Sequence, residues 1–214
     1  MNSKLIWSLV IIFIIAGVSV YLFISPSLGK QSIDLVEAKS EVLTEVEEYK
    51  EYANNTTEWI EKNGVEAEIG FFTPSEEDHN HHSDPKEDVI KYFIAGLLDN
   101  NIDIFLSSFY PDSISKDLFE HKNPDKFAVT EEIMQRLSRK GTLKAVDYKV
   151  NKGFMDQETN SITLTITYRD KKKADIILEL MTVEDIHHEG EVHQMYVITN
   201  SVWDMIDHIE NSTS

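Results

Sequence analysis

The chain has 214 residues, with 20 Lys and Arg against 38 Asp and Glu for a formal charge of −18, and no cysteine. A disulfide framework, a cysteine-ligated zinc site and an iron–sulfur centre are therefore excluded. So acidic a chain also argues against nucleic acid as a partner, because polyphosphate binding draws on counterion release to basic side chains. With 41% apolar and 10% aromatic residues, the composition suits one folded domain with additional segments.

Residues 5–24 read LIWSLVIIFIIAGVSVYLFI, twenty positions without a charge. At about 1.5 Å per helical residue they span the roughly 30 Å hydrocarbon core of a bilayer. A buried soluble helix is the weaker reading, since no face of the segment is polar. A cleaved signal peptide has a shorter apolar stretch and a small-x-small exit; here the only such site nearby is Ser25-Pro26-Ser27, with a proline inside it. Without cysteine no lipoprotein anchor forms. The expectation is an uncleaved signal anchor. Residues 1–4 with Lys4 form a short cytoplasmic tail, and the remaining chain lies beyond the plasma membrane. The lack of cysteine fits a bacterial extracytoplasmic protein.

From Lys30 to Asp84 four lysines face fifteen acids, a net of −11, whereas residues 86–214 carry −8. The shift at Pro85 marks a boundary. Residues 31–63 are expected to form one acidic helix, in which Leu35, Val42, Val46, Tyr49, Ala53 and Ile60 make a narrow apolar stripe among Glu41, Glu45, Glu48 and Glu51. This stripe is open to three readings: a juxtamembrane stalk that pairs with a protein partner or a second copy, a face packed on the chain's own domain, or a solvated helix. Lys39 on the seam weakens the first. Asn63-Gly64 is a helix stop. Residues 64–85 form a polar, histidine-containing linker, within which Ile69-Gly70-Phe71-Phe72 suits a short strand or docking segment.

The main domain, residues 86–210, opens with Asp84 as N-cap and Pro85 at the first helical position. Val89, Ile90, Phe93, Ile94, Leu97 and Leu98 form a broad apolar face, broken by Asp99-Asn100-Asn101 before a second helix over 102–109. Thr130 to Arg139 is a further helix with Thr130 as its cap, ending at Gly141. The period then falls to two. Val146, Tyr148 and Val150 alternate with polar neighbours, as do Ile162, Leu164, Ile166 and Tyr168; residues 175–182 and 192–199 are two more strands. Turns are expected at Asp170–Lys173 and His188-Glu189-Gly190, giving an antiparallel sheet covered on one face. Trp203, Ile206 and Ile209 mark a closing helix. The fold class is thus α+β, helices packed on a curved antiparallel sheet.

The stretch VIKYFIAGLLDNNIDIFLSSFYPD, Val89 to Asp112, resembles the helical opening of the NTF2-like (cystatin-like α+β cone) superfamily. The likeness rests on a polar break at Asp99-Asn100-Asn101, then Asp103-Ile104-Phe105-Leu106, then an exit at Tyr110-Pro111-Asp112. It extends over roughly residues 86–200; the helical insertion at 113–140 departs from the smallest members. The resemblance implies a cone whose enzymes carry an Asp–His or Tyr–Asp constellation inside, and no such dyad maps onto this chain residue by residue. The superfamily also holds ligand binders and scaffolds, so fold alone does not assign function. Its anchored members include scaffold subunits of bacterial secretion and conjugation channels, with a longer cytoplasmic tail than this chain has.

Candidate chemistry is sparse. His79, His81 and His82 with Asp78 and Asp84 could ligate a transition metal, yet a polar linker offers no rigid frame for one. His187, His188 and His193 surround a turn; with Glu189-Gly190 at its apex, His188 falls opposite Glu191 and His187 opposite Val192, too few ligands for a metal, so they read first as ordinary exposed turn residues, with a pH-sensitive patch as the alternative. Asp103, Asp112, His121, Tyr148 and Tyr168 are the acid–base candidates, and nothing in their spacing brings two together. No Gly-x-Ser-x-Gly elbow or phosphate-cradling glycine loop is present. Lys171-Lys172-Lys173 reads as a solubilised turn, and Asn54, Asn55 and Asn211 as glycan acceptors only in a eukaryotic source. No catalytic residue, metal or cofactor is expected. The sequence favours a membrane-anchored binding or scaffold protein for a protein or small ligand, with a channel subunit and a cone-cavity enzyme as alternatives.

Overall fold

The structure, a computed structural model, describes residues 30–63, 84–153, 157–186 and 192–213. From Ser32 onward these residues belong to one compact unit. The apolar segment 5–24, the Ile69–Phe72 segment, the His79, His81 and His82 cluster, and the turn at 187–191 lie outside the described residues. Among the described residues no helix is long and apolar enough to cross a membrane.

The elements run β1 (Gln31–Ile33), α1 (Leu35–Asn63), α2 (Pro85–Asp99), α3 (Ile102–Ser107), α4 (Pro111–Glu120), α5 (Lys126–Leu137), β2 (Leu143–Lys152), β3 (Glu158–Tyr168), β4 (Lys173–Ile186), β5 (Val192–Ile198) and α6 (Val202–Thr213). The strands form one sheet in the order β1-β2-β3-β4-β5; β2 to β5 are joined antiparallel in sequence order. The molecule is therefore α+β, as the change of period foretold.

Several boundaries differ from expectation, three of them for reasons local side chains or register make plain. The first helix begins at Leu35, because the Asp34 carboxylate accepts from the amides of Val36 (2.9 Å) and Glu37 (3.1 Å); this cap leaves Gln31–Ile33 extended as the strand beside β2. The helix assigned from Thr130 begins a turn earlier, at Lys126. Asp125 is its cap, accepting from the amide of Ala128 (3.1 Å), while Thr130 is buried mid-helix with its hydroxyl on the Lys126 carbonyl (2.8 Å). At the β4–β5 turn Val192 pairs with Ile186 rather than His187. The expected His188–Glu191 pair lies outside the described residues.

The cap at Asp84 holds, its carboxylate accepting from Lys86 N (3.0 Å). The polar break works through Asn100, in the left-handed conformation (φ 53°), and Asn101, which caps α3. Across this break α2 and α3 approach so closely that a Cβ on Gly96 would lie 2.6 Å from the backbone nitrogen of Phe105. Glycine is required there by contact. Phe93, Phe105 and Phe109 interlock below it at centroid distances of 5.1–5.9 Å.

Ile162, Leu164, Ile166 and Tyr168 of β3 and Ala174, Ile176, Leu178 and Leu180 of β4 are buried with Phe93, Ile133, Leu137 and Ile206 in one core. A register shift between Leu143 and Ala145 lets both Leu143 and Val146 of β2 reach it. The alternate residues of β3 and β4 form the opposite face. At the edge, Ile198 N donates to the Ser108 carbonyl (2.9 Å) and Tyr110 N donates to Ile198 O (2.8 Å), tying the segment after α3 to β5.

Candidate functional site

The five acid–base candidates occupy separate places. Asp103 and Asp112 are exposed in the first turns of α3 and α4. His121 stacks on Trp203 (5.4 Å), and its Nδ1 accepts from the amide of Asn123 (3.2 Å). Tyr168 is fully buried and donates to the Leu137 carbonyl (2.9 Å). Burial raises its phenol well above the ordinary range, and nearby Arg139 offsets that only in part.

Only Tyr148 enters a polar cluster. Its hydroxyl donates to Glu87 Oε2 (2.8 Å); Glu87 Oε1 pairs with Lys91 (3.5 Å), and Lys91 pairs with Glu41 (2.8 Å). This seam joins β2, α2 and α1. Burial, followed by the hydrogen bond and charge of Glu87, pushes the Tyr148 phenol upward, so it remains a donor. Burial works against the Lys91 ammonium, but Glu41, Glu87 and Asp88 more than offset it and its affinity for the proton is raised. Tyr92, one position along α2, is likewise raised, by burial first and then by the charge of Glu45 and the hydrogen bond to it. Each group thus holds its ordinary protonation state more firmly, the reverse of what a general acid or base near neutrality needs.

The stripe on α1 divides. Val42 is buried against Ala95 and Ile104, with Leu43, Val46 and Tyr92 beside them, and Leu35 packs on the main core. Lys39, the residue that spoiled the seam, pairs with Asp99 (2.8 Å). Tyr49 and Ala53 are exposed, and the side chain of Ile60 lies outside the described residues.

Two buried charges escaped sequence reasoning. Asp117 on α4 is 5% exposed. Its Oδ1 accepts from Ser201 Oγ (2.9 Å) and its Oδ2 from Val202 N (2.7 Å), so α4 supplies a carboxylate to the start of α6. The signal was its spacing from Ile114, one turn earlier on the same face. Lys86, 8% exposed, donates to Thr159 O (3.2 Å) and Glu158 Oε2 (3.4 Å), and lies 5.7 Å from the Tyr196 ring. Among the described residues no buried side-chain nitrogen or oxygen lacks a hydrogen-bond partner, and no three His, Asp or Glu are grouped to hold a metal. What these contacts do is clamp elements together. Compared with protein-family models, curated proteins and solved structures, the chain matches none.

Proposed function

We propose that the chain is a single-pass, extracytoplasmic binding or scaffold protein, anchored through residues 5–24 and presenting an NTF2-like domain at the cell surface. The anchor reading comes from the uncharged twenty-residue run. The NTF2-like reading comes from the α2–α3 motif followed by helices and an antiparallel run of strands. The observation that carries binding over catalysis is the separation of the candidate acid–base groups. Tyr148 and Tyr168 are committed to internal hydrogen bonds, His121 is stacked, and Asp103 and Asp112 stand on different helices.

Membrane fractions washed with alkaline carbonate test the anchor. The full chain stays in the pellet and a chain lacking residues 5–24 is released; wild-type release would refute anchorage. External protease on intact cells tests orientation, with digestion of the domain as the expected result. Turnover of a substrate by the purified chain in a broad hydrolase, isomerase and dehydratase screen would refute the binding reading.

A further inference from the structure

The helices occupy one face of the sheet; on the other, Ile177, Val183 and Met195 are exposed, Met181 is half-buried and Val197 is buried. The register places Met181 opposite Val197 and Val183 opposite Met195, with Ile177 two strand positions beyond Glu179 on the same face. Ile177 and Met195 are each 54% exposed and Val183 38%, while Val197, at 9%, is buried at the base of the group. Single exposed apolar side chains are ordinary, but an adjoining group across two strands marks an interaction surface.

The surroundings select the occupant. Asp175 and Glu179 are exposed on the same face of β4, and the whole chain carries −18. Lys173 starts that strand, one same-face position from Asp175, and Lys149 lies two strands away, opposite Thr163. A second copy would bring equal charge against this face; a cationic partner would be drawn to it. The edge of β5 is already tied at Ile198 by Ser108 and Tyr110, which favours approach onto the face. From Ile177 to Val183 the field runs about 20 Å along the strand at roughly 3.3 Å per residue. A helix of about 13 residues covers that length at 1.5 Å rise, and two methionines give the surface the adaptable shape that suits helix capture.

We propose that this field, Ile177, Met181, Val183, Met195 and Val197 beside Asp175 and Glu179, is the docking surface for a cationic amphipathic helix of a partner protein. The inference rests on the binding-protein reading above and specifies its surface and partner chemistry. The probe is a fluorescein-labelled 18-residue Leu/Lys amphipathic helix. It is titrated with the full chain in nonionic-detergent micelles, with empty micelles subtracted, beside a Leu/Glu helix and a Leu/Lys sequence scrambled to abolish the stripe. The Leu/Lys helix alone binds. The double variant I177K/M195K weakens it about tenfold or more, and D175N/E179Q weakens it about threefold and flattens its salt dependence. I177T/M195T, whose residues suit exposed strand positions, guards against misfolding and also loses affinity.

Equal binding of the Leu/Lys helix to wild type and both double variants of the apolar field overturns the proposal, as does equal binding of the Leu/Glu helix. A dimer in sedimentation equilibrium that I177K/M195K dissociates also overturns it, assigning the face to a second copy. None of these outcomes touches anchorage or turnover, on which the broader reading stands or falls.

Discussion

Replacing Asp117 by alanine isolates the carboxylate that joins α4 to α6. The side chain accepts from a buried backbone amide, Val202 N at 2.7 Å, and from Ser201 Oγ at 2.9 Å, at a helix N-terminus whose dipole favours an anion. Losing a charged acceptor from a buried amide costs about 2 kcal/mol and releasing the serine hydroxyl about 1 more, so Asp117→Ala should lose about 3 kcal/mol. For a domain of this size that is roughly 6–12 °C in Tm. Asp117→Asn keeps one accepting oxygen and should lose about half as much, and Ser201→Ala about 1 kcal/mol. Trp203 reports locally, since its indole donates to the Asp117 carbonyl (3.1 Å); with Trp7 and Trp59 changed to phenylalanine it is the single tryptophan. Urea unfolding followed by Trp203 fluorescence and by far-ultraviolet circular dichroism gives both local and global readings. A loss below about 0.5 kcal/mol for Asp117→Ala, within the range of surface substitutions, would refute the assignment, as would equal losses for the alanine and asparagine variants.

Three further outcomes are expected. Gly96→Ala drives a methyl into the Phe105 backbone and should cost about 1–3 kcal/mol, read as a lower urea midpoint; an unchanged midpoint would mean the helices part freely. At alkaline pH, Tyr92, Tyr148 and Tyr168 hold their protons more tightly folded than unfolded. Their contribution is complete below the unfolded phenol value of about 10 and falls as pH rises past it; absorbance at 295 nm should show delayed titration, and Tyr148→Phe should remove one delayed phenol. At acid pH, Glu210 is held low by the hydrogen bond and charge of Arg136. In Asp170 the opposing desolvation is outweighed by the combined effect of the Lys172 amide and the hydrogen bond and charge of Arg139, and the carboxyl is held low. Both favour the fold above the unfolded carboxylate value and lose that effect as pH falls through their lower folded values, so D170N/E210Q should flatten the fall in Tm below about pH 4.

Local patterning made most of the architecture readable. Period-two alternation at Val146–Val150 and Ile162–Tyr168, the Asp84-Pro85 start and the Asp99–Asn101 break each act within a few residues, and the structure keeps them. The errors lay where one polar atom decides a boundary. Asp34 and Asp125 outcompete the apolar rhythm around them for free amides, and both aspartates stand in stretches that read as continuous helix or as insertion. Less could be read at the level of sites, because the partners are distant in sequence: Asp117 meets Val202 and Tyr148 meets Glu87 only after folding. The outward apolar positions of β4 were visible as strand residues, but which alternate set faced the helices depended on tertiary packing.

The small cluster of Val42, Ala95 and Ile104 stands apart from the main core, and α1 is held beside it by the Lys39–Asp99 and Lys91–Glu41 pairs. Such an arrangement gives the helix its own opening equilibrium. Amides over Val42–Val46 should exchange with deuterium faster than those of β3, and faster still as added salt screens the two pairs. The first helix would thereby loosen while the sheet stays closed.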